Sequence, residues 1–191
     1  LKYKASIPLG TFFGDKVRGQ YFEFFPLGTG RQDVYTRGPM VLHMLRYMLF
    51  VTKGNDDVYW QLLREFNARY KGQRAGTEEF IALTNEIAGF DTTWFFDQWL
   101  WIATIPKVEW SQSIEKDGGS WILKIDAKQP EGEPKMKLLI PVEIKFGRQE
   151  VAEKTLKLDD GSGSLILKLH AKPKKVRLNA YWDVLADIKE R

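Results

Sequence analysis

The chain has 191 residues, of which 43% are hydrophobic and 14% aromatic, with 7 Trp and 12 Phe. That composition excludes a disordered polypeptide and gives room for one large domain or two small ones. The 29 basic and 25 acidic residues leave a formal charge of +4 and are interspersed, with no basic run beyond Lys172-Pro173-Lys174-Lys175, so nucleic-acid binding is not indicated. Cysteine is absent, which excludes disulfides and thiolate metal sites. No apolar run approaches the ~18–20 residues of a membrane span. The opening LKYKASIPLG is not a signal peptide and lacks a methionine, so a piece of a longer polypeptide is expected. Compartment is not legible.

Residues 1–34 carry Gly, Pro and aromatic residues without a sustained period, and read as an irregular connector with one short strand at 20–25. The stretch Tyr35–Val51 then becomes the organising helix. Tyr35 is expected at its mouth, at a glycine-marked turn, and Pro39 in its first turn, where a missing N–H costs nothing. Met40, Val41, Met44, Leu45, Met48 and Leu49 recur at helical spacing, with a polar stripe of His43, Arg46 and Lys53. A second helix is predicted over about 56–71, capped by Asn55 or Asp56 and ended by Gly72. A third runs from Thr77 to Gly89, and a fourth starts at Asp91 and holds Trp94, Phe95, Phe96, Trp99 and Leu100.

After Pro106 the apolar period changes from 3.6 to 2. Val108 and Trp110 alternate, then Trp121, Leu123 and Ile125, then Leu138 through Phe146, Leu156 and Leu158, Leu165 through Leu169, and Val176, Leu178 and Ala180. Turn signals separate these runs. Six or seven short strands in roughly 80 residues read as a small, immunoglobulin-like β-sandwich. The expected fold class is therefore α+β in two parts, with boundaries at 1–34, 35–106 and 107–191.

Catalytic constellations are sparse. His43 and His170 are the two histidines, and neither begins H-E-x-x-H. His43 reads as a structural or surface residue, and His170 as a strand residue facing water. Gly28-Thr29-Gly30 lacks the strand, helix and third glycine of a dinucleotide fingerprint and reads as a turn. Asp159-Asp160-Gly161-Ser162-Gly163 resembles part of a calcium loop but lacks the later glutamate and flanking helices, so a hairpin turn is expected. Trp110 and Trp121 fall in phase with core aliphatics, which argues against a carbohydrate-binding face.

Two segments carry a family resemblance. Tyr35-Thr36-Arg37-Gly38 followed by Val41-Leu42-His43-Met44-Leu45-Arg46 is similar to the Y-x-K-G-x-x-x-L-x-M-L segment of the aminopeptidase N-type zinc metallopeptidases. Phe95-Phe96-Asp97-Gln98-Trp99-Leu100 with Ile105-Pro106 resembles the F-F-x-Q-W…P run of that family. By motif the resemblance covers about residues 35–110. It implies the helical end of a thermolysin-like catalytic domain followed by a β-sandwich, and removal of N-terminal amino acids from peptides with the help of zinc. The family's zinc ligands and catalytic glutamates have no counterpart in the chain, so no metal ligand is assigned and the chain alone is expected to bind no catalytic zinc and to be inactive. Its expected partners are a peptide substrate and the rest of the catalytic domain. Tyr35 is the one family residue that carries over, as the phenol that donates a hydrogen bond to the oxyanion. Arg37 replaces the usual lysine and receives no catalytic role. An alternative left open is a non-catalytic interaction module on the same fold.

Overall fold

The computed structural model describes residues 30–102, 104–147 and 150–191, with the backbone alone for residues 30–37. The described residues up to Thr104 form one compact unit, and Ile105–Arg191 form a second. Most of the expected connector, and the strand expected at 20–25, lie outside the described residues.

The first unit is helical: α1 (Gly30–Lys53), α2 (Asp57–Tyr70), α3 (Thr77–Ala88) and α4 (Thr93–Trp101). Helix α1 begins five residues earlier than the apolar period suggests, so 30–34 is helix rather than connector and Pro39 lies inside the helix. Its buried stripe is Val41, Met44, Leu45, Met48 and Leu49. Burying each such side chain contributes about 1.5–3 kcal/mol, whereas the half-exposed Arg46–Asp56 pair is worth about 1 kcal/mol at most. The apolar stripe therefore fixes α1, and the ion pair trims its exit. From Arg46, Nε donates to Asp56 Oδ1 at 3.0 Å, and the guanidinium lies 5.3 Å from the Trp60 ring centroid. Asp56 holds the N-cap position but makes no side-chain cap hydrogen bond; Asn55, just before it, accepts from the Asp57 N–H at 2.9 Å.

Three phenylalanines stitch the remaining helices together edge to face. Phe66 of α2 meets Phe80 of α3 at 5.1 Å, and Phe80 meets Phe96 of α4 at 6.0 Å. At the start of α3 the Glu79 carboxylate accepts from the Gly76 N–H at 2.8 Å, and at its end Gly89 takes the left-handed conformation, φ +71°. Asn85 then accepts from both the N–H and the hydroxyl of Thr92, each at 2.6 Å. One side chain thus sets the α3–α4 corner.

Among its described residues the second unit contains seven strands: β1 (Lys107–Asp117), β2 (Ser120–Lys128), β3 (Leu138–Lys145), β4 (Val151–Leu158), β5 (Ser162–Leu169), β6 (Lys175–Leu178) and β7 (Asp187–Glu190). They form a four-stranded sheet in the order β5-β2-β1-β7 and a three-stranded antiparallel sheet in the order β4-β3-β6. The described residues are thus α+β. Within the four-stranded sheet the β1–β7 pairing is parallel, with Val108 opposite Ile188. This assortment differs from the constant-type immunoglobulin order, in which the fourth strand joins the first sheet and the seventh joins the second. Inward positions of both sheets build the core, with Val108, Leu123, Ile125, Ile140, Val142, Ile144, Leu156 and Leu158 fully buried.

Strand β7 escapes the period-2 reading because its four residues hold one apolar side chain, Ile188. Strand β6 ends at Leu178, two residues short of expectation. There Asn179 adopts φ +51° and closes a loop, with its side-chain amide donating to the Val184 carbonyl at 2.8 Å and accepting from the Val184 N–H at 3.0 Å. The Asp159–Ser162 turn is a two-residue hairpin with Asp160 and Gly161 both at positive φ, +49° and +77°. That is the type I′ geometry for which Asp-Gly is suited.

Candidate functional site

The backbone of Tyr35 lies within α1, three residues before Gly38, which is buried. It is therefore a helical residue and not one that precedes the helix. Pro39 has no N–H to donate, so the carbonyl four residues earlier, that of Tyr35, receives no helical hydrogen bond from it. Beyond the proline, Val41 through Leu49 anchor the helix in the core. The side chain of Tyr35 lies outside the described residues, so its catalytic role stands as an expectation. The second resembling segment supplies core: Phe95, Phe96, Trp99 and Leu100 are buried, with Phe95 and Phe96 at 5.4 Å edge to face.

The two histidines lie in different units. His43 is exposed on α1 of the helical unit. His170 sits just past the end of β5 rather than within the strand. Its Nε2 pairs with Glu150 Oε1 at 2.8 Å and its ring lies 4.6 Å from that of Phe146. It faces water, as expected, but it follows the strand rather than lying in it and is paired with Glu150. Among the described residues no group of three or more His, Asp or Glu is placed to hold a metal ion.

A polar cluster that the sequence does not reveal lies on the outward phase of the three-stranded sheet. Glu143 of β3 is only 3% exposed although its position in the strand alternation points it away from the core. From Arg177, across the ladder on β6, Nε donates to Glu143 Oε1 at 2.7 Å, and the Tyr181 hydroxyl donates to Oε2 at 2.8 Å. Burial pushes the Glu143 carboxyl up, but the Tyr181 hydroxyl, the Arg177 guanidinium and the Lys145 ammonium together hold it below the ordinary carboxylate range. Both carboxylate oxygens are satisfied, so the cluster pins the 179–186 loop and offers no free group for catalysis. The alternation hides it because a glutamate in that phase normally reads as solvated, and its partners are 34 and 38 residues away.

This cluster has a pH signature. The folded state binds fewer protons at Glu143 than the unfolded chain does. Its contribution is complete above the unfolded carboxylate pKa, about 4.3, and is lost as pH falls through the lower folded value. Glu143→Gln is expected to cost about 2 kcal/mol at neutral pH. In paired thermal melts the gap between variant and parent should close as pH falls below the unfolded carboxylate pKa of about 4.3; a gap that stays constant would refute the assignment.

A shallow polar groove of about 390 Å³ lies on the four-stranded sheet, lined by residues including Glu109, Asp126, Ser164 and Arg191. Its carboxylates are engaged: Arg191 pairs with Glu109, and Asp126 accepts from Ser164 Oγ at 2.5 Å and meets Lys124 Nζ at 2.9 Å. The Ser164 hydroxyl and the Asp126 carboxylate are thus bonded to each other on the open face of the sheet, and no histidine lines the groove.

No protein-family model and no curated protein matches the chain. Among solved structures it is similar to aminopeptidase A of Legionella pneumophila, a structure in complex with aspartic acid. The likeness has a TM-score of 0.66 at 19% identity and covers 92% of this chain. The chain spans 19% of the length of that protein. At this identity the likeness shows the fold.

Proposed function

We propose that this chain is the C-terminal part of a zinc-dependent aminopeptidase that removes N-terminal amino acids from peptides. The observation that carries the reading is the likeness, over 92% of the chain, to a segment of an aminopeptidase. Two sequence segments, at 35–46 and 95–106, resemble the same class of enzyme independently of that likeness. In this reading the helical unit is the end of a thermolysin-like catalytic domain, and the β unit is an immunoglobulin-like sandwich that follows it in the chain. The peptidase portion in this reading includes the whole of α1 from Gly30, and the sandwich follows from about residue 107.

The described residues do not fit a zinc ion, since the two histidines are far apart in sequence and neither joins a cluster of carboxylates. In the proposed reading zinc is held elsewhere in the parent protein and would supply Lewis acidity from there. What this chain contributes is a donor. A phenol in water has a pKa near 10 and is a hydrogen-bond donor at neutral pH; in this reading the Tyr35 hydroxyl donates to the oxyanion as the scissile carbonyl becomes tetrahedral. The peptide substrate and the remainder of the catalytic domain are the partners.

The test compares the 191-residue chain with the polypeptide that includes its upstream coding sequence, using a panel of aminoacyl reporter substrates and metal analysis. Turnover with bound zinc in the longer polypeptide, and neither in the chain alone, is the expected result. A longer polypeptide that hydrolyses none of the panel would sink the proposal. So would stoichiometric tight zinc with turnover in the chain alone.

A further inference from the structure

On the outward phase of the three-stranded sheet, Lys145, Lys157, Lys175 and Arg177 stand against two carboxylates, Glu143 and Glu153. Glu143 is already enclosed by Arg177 and Tyr181, so the open part of the face is positive. Lys145 and Lys175 are direct partners across β3 and β6, and like charges in that position repel. Lys174 and Lys175, from the basic run at 172–175, are both exposed. Apolar exposure gathers at the same place. Among the described residues of this unit four large apolar side chains are exposed, and three of them, Val151, Tyr181 and Trp182, lie on this face or in the loop at its edge. Val151 stands opposite Lys145, and Tyr181 and Trp182 are 64% and 59% exposed. Trp182 also holds φ +61°, which a bulky side chain rarely adopts, and such outliers point to function. The loop is kept there by the Trp182 N–H, which donates to the Asn179 carbonyl at 3.2 Å, and by the two hydrogen bonds between Asn179 and Val184. The aromatic pair is therefore presented on a fixed turn.

Trp and Tyr favour a boundary between an apolar phase and water. Lysines gain from the negative surface potential of an anionic leaflet. A bilayer surface offers both in one partner. We propose that this face docks onto an anionic lipid surface, with Tyr181 and Trp182 entering the headgroup layer and Lys145, Lys174 and Lys175 facing the lipid phosphates and carboxylates. Neither contribution suffices alone. Charge attraction is screened within about 8 Å at physiological salt, and a small apolar anchor holds a protein only weakly and reversibly.

The test is flotation of the full-length polypeptide with phosphatidylcholine vesicles that contain about one-third phosphatidylserine or none. Binding to the anionic vesicles alone, weakened by added salt, is the expected result. Lys175→Glu and Trp182→Gly should each weaken it by roughly tenfold or more. Both variants should melt at or above the parent temperature. The first replaces a repelling pair with an attracting one, and the second gives the positive φ to a residue that adopts it freely. Lost binding would then not be lost fold. Lys174→Glu, outside the strand, repeats the charge reversal without touching the ladder. Equal flotation with both kinds of vesicle, or with neither, would overturn the proposal, as would variants that bind like the parent. Retention on immobilised polyglutamate in place of vesicle binding would assign the face to an acidic protein and overturn it too.

Discussion

Tyr35→Phe in the full-length polypeptide is expected to lower kcat by about 10²–10³-fold, the usual cost of deleting one oxyanion donor. The substitution removes a hydroxyl and nothing else, so packing at the helix should be kept and the melting temperature should stay within a degree or so of the parent. KM should change little, because the phenol in this reading bonds to charge that develops only as the carbonyl becomes tetrahedral. Zinc content should be unchanged, since Tyr35 holds no metal. The measurement is steady-state kinetics with an aminoacyl reporter, alongside metal analysis. Equal kcat would exclude Tyr35 as the donor. A parallel loss of zinc would mean that it supports the metal site instead.

The second large effect concerns stability and belongs to the β unit. Gly163 lies where the chain passes from β4 in one sheet to β5 in the other, and a Cβ added there would overlap the Lys157 carbonyl oxygen and meet the Leu158 Cα at 3.2 Å. Both obstacles are backbone. Neither can rotate away, so Gly163→Ala must separate the two strands. We expect a loss of about 3 kcal/mol or more, or roughly 10–20 °C in the melting of a unit this size. Gly161, two residues earlier, serves as the internal comparison. It adopts φ +77°, but a Cβ there would meet only the flexible Lys135 side chain. Gly161→Ala should therefore cost about 1–2 kcal/mol, the ordinary left-handed penalty. Thermal unfolding with amide exchange on β4 and β5 checks the pair, and a Gly163 variant as stable as the Gly161 variant would show that the strands can part freely.

The apolar periods were sufficient for the main elements. Met44, Leu45, Met48 and Leu49 on α1, and Leu138 through Ile144 on β3, announce their faces because burial of each side chain outweighs every nearby polar contact. The Asp160-Gly161 turn was legible for a local reason, since few residue pairs accept two positive φ values. Tyr35 was visible only through its neighbours in sequence; a lone tyrosine near a helix carries no signal of chemistry.

What the sequence left open was decided by groups that meet only after folding. Asp56 takes the N-cap position of α2 without a side-chain cap bond, its carboxylate being engaged by Arg46 from the preceding helix. Glu143 looked solvated until Arg177 and Tyr181, both more than thirty residues downstream, enclosed it. Strand β7 has almost no apolar pattern, and its place comes from backbone pairing with β1. Pro39 suits a first turn by its sequence context, and only the extension of α1 back to Gly30 puts it in the interior. Local patterns record which face of an element leaves water. Pairing across sequence distance sets strand order, cap choice and buried charge, and it becomes determinate only when the tertiary structure brings those partners within hydrogen-bonding reach.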